Sequence, residues 1–527
     1  MSFSQAVGSR TARYSFLDSN AEGSCVSART ASRMAAPSNG LTMVRPQNQS
    51  QVVVIGAGVS GLAAAYGLAR AGCDVTVLEG ADRVGGCVWS ERTPEGYLLE
   101  HGPNSLLNLN PEVDQLCREL GLDGVRVFQH QESRRRFLVK QRSLVPVPSR
   151  LADLPGSPLW GAWAKVRALA EPLIRVRETT AADESVAAFV RRRFGADMVD
   201  YGVEPFVAGI FAGNPEELSM TSSFPRVVAL ERTYGSVVWG VLRTRVKHGR
   251  RRGPLRVFSF REGVGQLPRA LADALGGRVV TRARVMSLHR EVRDGIPRFS
   301  VESVVEGHAR RIYADQLVLA TPADAAAKLV ADLSPLLADQ LEQIPYAPVG
   351  LVHLGLPRDA CPRLPQGAGC LVPKREGLPI LGSLWSSNVY PDRAPTGRVL
   401  LTNYVGGMRD PDILKWSDDE LTRLVVTTLR DLVGLTQEPE LVRVVRHPRA
   451  IPQYLIGHPS RIVAIERLLA PLDGVYLTGN YLRGVSVRDC LTHGLQLAQT
   501  IVDRVGRTGS TRGVEALGRD SVVNVAR

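Results

Sequence analysis

The stretch Val52–Glu79, V-V-V-I-G-A-G-V-S-G-L-A-A-A-Y-G-L-A-R-A-G-C-D-V-T-V-L-E, decides how this chain folds. Val52 to Ile55 form a short, wholly β-branched apolar run that reads as a buried strand. Gly61–Arg70 reads as a helix and Asp74–Leu78 as a second strand. Between the first strand and the helix lie Gly56, Ala57, Gly58, Ser60 and Gly61. Gly56 permits the tight turn, Gly58 lets the backbone approach a diphosphate, and Gly61 allows the helix to pack closely on the strand. The helix N-terminus adds unpaired N–H groups and the positive end of a dipole. Glu79 closes the second strand eighteen residues after Gly61. A carboxylate there accepts hydrogen bonds from ribose hydroxyls and disfavours a 2′-phosphate. The unit is therefore a β-α-β fold for a dinucleotide with a free 2′-hydroxyl.

Working outward, the 527 residues exceed what one core usually serves, so two or three lobes are expected. The chain is 44% hydrophobic and 22% charged, with mean hydropathy near zero, which excludes global disorder. Net charge is +13, and only six of the 65 cations are lysine. A basic surface suits anionic lipid, nucleic acid or a carboxylate-bearing substrate, or is simply a solvated face; the partners expected for the whole chain do not include nucleic acid. The seven cysteines (Cys25, Cys73, Cys87, Cys117, Cys361, Cys370, Cys490) include no C-x-x-C pair, so neither a disulfide framework nor a metal site is indicated. No apolar run reaches the roughly 18–20 residues that span a bilayer.

Residues 1–49 are rich in Ser, Ala and Arg, hold only Asp18 and Glu22 as acids, and lack periodicity. They read as a disordered extension or as an organellar transit-like segment. The first implies a cytoplasmic or peripheral-membrane bacterial protein, the second a plastid or mitochondrial one. A mostly helical stretch is expected from Pro111 to Arg245. Strand signals return at Val257–Phe260, Arg278–Val285 and Gln316–Ala320, and a strand-rich block runs from Leu351 to Val405. A helix (Asp418–Leu435), a strand (Val475–Leu477) and a last helix (Val487–Val505) close the fold, with disorder expected after Gly506.

Directly after Glu79 come Asp82-Arg83-Val84-Gly85-Gly86, where two glycines allow backbone approach to a second part of a long dinucleotide. This segment resembles the amine-oxidase-like flavoprotein superfamily, and so do Leu317–Pro322 and Gly479-Asn480-Tyr481 with Gly484-Val485-Ser486. The last of these opens a helix whose N-terminus can stabilise negative charge on a reduced flavin. The resemblance implies FAD, held by Gly56, Ala57, Gly58, Ser60, Gly61, Glu79, Arg83, Gly85, Gly86, Val285, Thr321, Asn480, Val485 and Ser486.

Within that superfamily the intervening segments resemble the protoporphyrinogen oxidase family. They are Glu100-His101-Gly102-Pro103-Asn104-Ser105, the run Glu204–Met220 (E-P-F-V-A-G-I-F-A-G-N-P-E-E-L-S-M), Phe258–Gly263, Ala450–Tyr454 and Tyr481–Cys490. The resemblance covers roughly residues 50–505. It implies cofactor contacts from Gly102, Pro103, Asn104 and Ser105, and substrate contacts from Arg136, Leu371, Leu384 and Tyr404. A loop carrying Gly209 and Gly213 would lie over the macrocycle. Three departures are visible: Tyr404 stands where the family usually has Phe, His447 where many members have Trp, and Cys87 follows the glycine pair where relatives vary.

The implied activity is oxidation of protoporphyrinogen IX with O2 as acceptor. Coproporphyrinogen III is the alternative substrate, and a flavin- and porphyrin-binding protein without turnover is the alternative class. A flat, apolar tetrapyrrole bearing propionates needs an apolar slot with arginine at its rim, which agrees with these residue types. No catalytic side chain is assigned, because the flavin carries the chemistry.

The expected architecture is α/β and α+β: an interrupted Rossmann-type FAD-binding domain (50–110, 255–345, 450–505), a mixed-sheet substrate-binding domain (346–449) and a helical membrane-binding insertion (111–254), followed by a tail (506–527). Leu151–Arg177 mixes Trp160, Trp163 and Leu with Lys165, Arg167, Arg175 and Arg177, and reads as an amphipathic helix for peripheral membrane contact. A homodimer is left open.

Overall fold

The computed structural model describes residues 50–107, 111–149, 153–174, 176, 183–248, 256–293 and 296–519. The expectation for residues 1–49 lies outside them. Gln51–Ile55 is a strand, with Val52, Val53 and Val54 wholly buried, because both of its faces are covered. It is the central strand of a five-stranded parallel sheet in the order Val279–Val280, Asp74–Leu78, Gln51–Ile55, Gln316–Leu319, Val475–Leu477. The helix begins at Val59, two residues earlier than expected, and runs to Arg70. The last helix packs on it. A Cβ on Gly494 would lie 2.4 Å from the Ser60 carbonyl oxygen, so only glycine permits this approach. A three-stranded antiparallel sheet (Ala283–Arg293, Ile296–Val305, His308–Ala314) leads back into the parallel one.

A seven-stranded mixed sheet builds the second lobe. Its order is Leu441–Pro452, Tyr346–Pro357, Arg398–Gly406, Gly382–Trp385, Gly369–Leu371, Arg136–Lys140, Ser143–Pro146. One face carries Phe137, Cys370, Val352, Trp385 and Val405 into a core shared with Leu421, Val425 and Leu429 of the helix Asp418–Val433. The N-terminus of that helix is closed by a capping box between Ser417 and Glu420.

Three expectations need correction. The stretch expected to be mostly helical contains the strands Arg126–Phe128, Arg136–Lys140 and Ser143–Pro146. The last two form a hairpin turned at Gln141 and Arg142, both with positive φ. That backbone normally calls for Asn-Gly or Asp-Gly, so the sequence carries no hairpin signal. This hairpin belongs to the mixed sheet, so the 346–449 lobe takes two strands from the insertion. The expected amphipathic helix over 151–177 is broken: Ala162–Leu169 is helical and Glu171–Leu173 is a 3-10 turn around Pro172, while Arg175 and Arg177 lie outside the described residues. Finally, the last helix continues past Gly506 to Arg519, since adding residues to a helix already anchored by packing costs little.

Candidate functional site

The first motif folds into an open cradle. A Cβ on Gly61 would sit 2.1 Å from the Gly56 carbonyl oxygen, and Gly56 itself has φ +104 against Ala320 and Thr321. Gly58 differs: its φ is ordinary, and an added Cβ would meet no atom within 4 Å. Gly58 also caps the Val59–Arg70 helix without any side-chain hydrogen bond, and no acid lies in the first turn. The first amides of that helix, with Ser60 and Gly61 among them, therefore have no side-chain cap, and the space beside Gly58 is clear. Glu79 accepts hydrogen bonds from the Ala57 amide (2.7 Å) and the Ala81 amide (2.9 Å), which fixes its carboxylate beside the turn.

Gly85 bridges to Gly58, and a Cβ on Gly86 would lie 3.5 Å from the Gly58 Cα, so the second glycine pair forms the opposite lip. Arg83 donates to the Gly86 carbonyl (2.8 Å) and lies 4.6 Å over the Trp89 ring. Cys87 is accessible yet walled in by protein, so burial raises its thiol pKa; it borders a recess rather than bulk water. Gly102 closes against Cys87, where a Cβ would lie 2.0 Å from the carbonyl oxygen. The Thr321 hydroxyl is buried without a partner at the same turn. Val285 flanks the bulge beyond Ala283, whose amide donates to the Glu79 carbonyl. An uncapped helix end, a cradle clear of atoms and an orphaned hydroxyl together fit a bound dinucleotide.

At the other end of the groove, Ser486 caps the last helix by accepting the Asp489 amide (3.1 Å). Val485 packs with the cluster around Tyr454, and the Tyr454 hydroxyl donates to the Asn480 carbonyl. Pro103 and its neighbours are half-buried. Ser105 donates to the Asn104 side-chain oxygen (2.8 Å), and the Asn104 amide donates to the Tyr404 hydroxyl (3.2 Å). That bond joins the groove to the mixed sheet, and burial pushes Tyr404 up to about 12, so its hydroxyl stays protonated.

Register explains why the four expected substrate residues share one surface. Across the sheet, Leu138, Leu371, Gly382, Tyr404 and Leu351 lie in one row, and Arg136, Gly369, Leu384, Thr402 and His353 in the next. Rows two residues apart face the same side. Arg136, Leu371, Leu384 and Tyr404 therefore stand on the face opposite the helix-covered core. Arg136 is exposed, and the three others are half-buried. Three strand spacings, roughly 14 Å, separate the Arg136 strand from that of Tyr404.

The Glu204–Met220 run is not the loop expected over this face. Glu204–Phe211 is a helix. Gly209 packs on Leu371, where a Cβ would lie 2.8 Å from a Leu371 methyl. A Cβ on Gly213 would meet Gln453 and Leu218. A run of Ala, Gly, Phe and Ile suits a tightly packed helix, and Pro205 at its first turn is favourable there.

Sequence reading also missed a seam of polar residues between the lobes. His101 stacks on Trp89 (4.0 Å) and binds Glu91 (2.8 Å), while His447 donates to the His101 carbonyl (2.6 Å). The unusual His447 thus ties the mixed sheet to the 102–105 loop. Burial pushes His353, beside His101, down to about 3. Beneath them Glu100 accepts from Ser90 (2.5 Å) and the Val264 amide (2.9 Å). Burial raises its pKa from 4.5 to about 7, outweighing Ser90 and Arg393, which lower it. Because the folded-state pKa is raised, Glu100 contributes most stability below pH 4.5 and loses it as pH rises through 7. That loss amounts to about 3 kcal/mol. Thermal unfolding of wild type and Glu100→Gln from pH 4.5 to 8 checks this: the wild type should lose stability relative to the variant with rising pH, and parallel curves would contradict it.

The flavin containing amine oxidoreductase family model matches residues 59–502, and the chain belongs to that family. A pyridine nucleotide-disulphide oxidoreductase model matches residues 6–98, which include the first glycine motif. Among relatives, the chloroplastic protoporphyrinogen oxidase of Oryza sativa subsp. japonica is 35% identical over 86% of this chain and 88% of its own. The coproporphyrinogen III oxidase of Bacillus subtilis (strain 168) is 27% identical over 85% of this chain and 96% of its own. A crystal structure of a proposed protoporphyrinogen oxidase from Exiguobacterium sp. 255-15 is 26% identical, with TM-score 0.73 over 86% of this chain and 99% of that one.

Proposed function

We propose that this chain is an FAD-dependent porphyrinogen oxidase of tetrapyrrole synthesis that converts protoporphyrinogen IX to protoporphyrin IX in three two-electron steps, with O2 as final acceptor. The observation that carries the reading is the single sheet face bearing Arg136, Leu371, Leu384 and Tyr404, bonded through Asn104 to the end of the dinucleotide groove. FAD, when bound, takes up the electrons of each step and returns them to oxygen. The protein's own residues have simpler tasks. Leu371, Leu384 and the Tyr404 ring offer an apolar surface to a flat macrocycle and keep water from it. Arg136 is free to hold a propionate through two parallel hydrogen bonds. Gly56–Gly61, Glu79, Gly85, Gly86 and Gly102–Ser105 hold the cofactor along the groove, with the helix dipole at Val59 on its diphosphate.

Protoporphyrinogen is preferred to coproporphyrinogen III on charge. Among the described residues of this face, Arg136 stands at the apolar end; Lys140 is bonded to the Pro158 and Leu159 carbonyls, and Arg398 and Arg443 lie against Glu440 (2.7 Å) and Glu91 (3.9 Å). Four propionates would call for more cations near the slot. Fluorometric turnover of both porphyrinogens tests the choice: kcat/KM for protoporphyrinogen should exceed the other by about tenfold or more. The reverse ratio assigns coproporphyrinogen III.

A second reading concerns the surface, and exposed apolar side chains favour it. Trp163 (78% exposed), Val166, Leu169 and Leu173 (88%) protrude from Ala162–Leu173, beside Trp239 and Leu242 of the helix Val237–His248. Arg243 lies 5.1 Å over the Trp239 ring. Such a patch with an arginine at its edge suits peripheral contact with an anionic bilayer. Among the described residues no helix is long and apolar enough to cross a membrane. Co-sedimentation with vesicles of phosphatidylcholine and phosphatidylglycerol should fall roughly tenfold or more on changing Trp163 and Leu173 to Ser. Equal partitioning would remove the reading.

A further inference from the structure

Helix Glu204–Phe211 lies against Leu371, and what holds it there is a turn more than 190 residues away in sequence, Gly407–Arg409. The turn directly follows the strand Arg398–Gly406 that carries Tyr404, and it grips both ends of the helix. At the C-terminal end, the Met408 amide donates to the Ala212 carbonyl (2.7 Å), and a Cβ on Gly407 would lie 2.6 Å from the same oxygen. At the N-terminal end, two nitrogens of Arg409 donate to one Glu204 oxygen (3.0 and 2.5 Å). The third Arg409 nitrogen donates to the Val372 carbonyl (2.7 Å), and the other Glu204 oxygen accepts the Lys374 amide (2.9 Å). Both side chains are only 11% exposed, so this is a shielded ion pair that also binds the backbone on either side of Pro373.

The turn before the helix repeats the pattern. Val199–Val203 is a π-helical turn, a rare form that occurs frequently at functional sites. From it Asp200 pairs with Arg375 (2.9 Å), and Tyr201 donates to Glu376 (2.7 Å). Three separate contacts thus fasten the chain around Glu204 to residues 374–376, just after Leu371, and Arg409 adds a fourth through the Val372 carbonyl. Nothing in an ordinary hairpin turn requires that density of bonds.

We propose that Arg409 and Glu204 are positioning residues that set the gap between helix 204–211 and the Leu371 strand, and so fix the width of the substrate slot. The inference rests on the porphyrinogen-oxidase reading of that slot. Neither side chain is placed among the groups that contact the macrocycle or cofactor. The pair acts through Leu371, which it locks against Gly209. Arginine is required because a lysine ammonium cannot hold the Glu204 carboxylate and the Val372 carbonyl in one plane.

The test compares wild type with Arg409→Met, Arg409→Lys and the milder Tyr201→Phe, as flavin-loaded full-length proteins. Flavin content and absorbance, unfolding midpoint, steady-state constants and the Kd for protoporphyrin are measured for each. For Arg409→Met the KM and Kd should rise about tenfold, with kcat within about twofold and flavin content unchanged. Arg409→Lys should lie between, and Tyr201→Phe should raise KM by about twofold. The inference is overturned if Arg409→Met binds and turns over like wild type. It is equally overturned if Arg409→Met does not fold while Arg409→Lys and Tyr201→Phe leave KM and Kd at wild-type values, because the pair then serves stability alone. If wild type itself neither binds nor oxidises a tetrapyrrole, it is the parent reading that fails.

Discussion

Gly58→Val should give a folded protein that retains little or no flavin. The prediction rests on a contrast between neighbouring glycines. At Gly56 and Gly61 a Cβ would collide with backbone at 2.9 and 2.1 Å, so substitution there disturbs the fold itself. At Gly58 the backbone is extended with negative φ, and a Cβ meets no protein atom within 4 Å. The space a valine would fill is the space above the uncapped helix end, where a diphosphate would accept those amides. The fold should therefore survive, while binding is lost sterically. Far-UV circular dichroism should match wild type, and the visible flavin bands should be missing after purification and after incubation with excess FAD. A yellow Gly58→Val protein with normal flavin content would contradict the placement of the cofactor.

Glu171→Ala should destabilise the protein by about 3–5 kcal/mol, or prevent it folding. Glu171 and Arg193 are both wholly buried and 2.5 Å apart. Glu171 accepts the Val237 and Val238 amides and the Ser236 hydroxyl, at the start of the helix bearing Trp239. Arg193 donates to the carbonyls of Ile174 and Gly235. One ion pair therefore joins the 171–174 turn, the helix Val186–Phe194 and the ends of two further helices. Removing the carboxylate leaves a guanidinium buried without its main partner; Glu231, 3.4 Å away, is already engaged by Arg192. By contrast, breaking the exposed pair Arg142–Asp431 should cost under about 1 kcal/mol. Urea unfolding of both variants supplies the comparison, and similar losses for the two would contradict the account.

The dinucleotide half of the fold was legible because its signals are local. Val52–Glu79 fixes strand, turn, helix and strand within one continuous run, and each glycine has a steric reason visible in its spacing. The mixed sheet was legible only in part. Arg136–Lys140 joins it through a hairpin whose turn residues, Gln141 and Arg142, carry none of the usual chemistry. The sharing of one face by Arg136, Leu371, Leu384 and Tyr404 depends on register between strands far apart in sequence, which no local pattern encodes. The same holds for Glu204 with Arg409 and Glu171 with Arg193. Each is an ordinary charged residue until the partner is known. Gly213 shows the same limit from the other side: its place in a recognisable run suggests the slot, while the close approach of Gln453 and Leu218 to it is a tertiary contact that the run does not announce.

The central claim, that this chain oxidises a porphyrinogen with its own flavin, is tested most directly by anaerobic mixing of the flavin-loaded protein with protoporphyrinogen IX. The flavin band near the visible maximum should bleach as porphyrin appears, and admitting oxygen should restore it. If porphyrin binds tightly, yet neither protoporphyrinogen IX nor coproporphyrinogen III bleaches the flavin, the protein is a binding protein and not an oxidase.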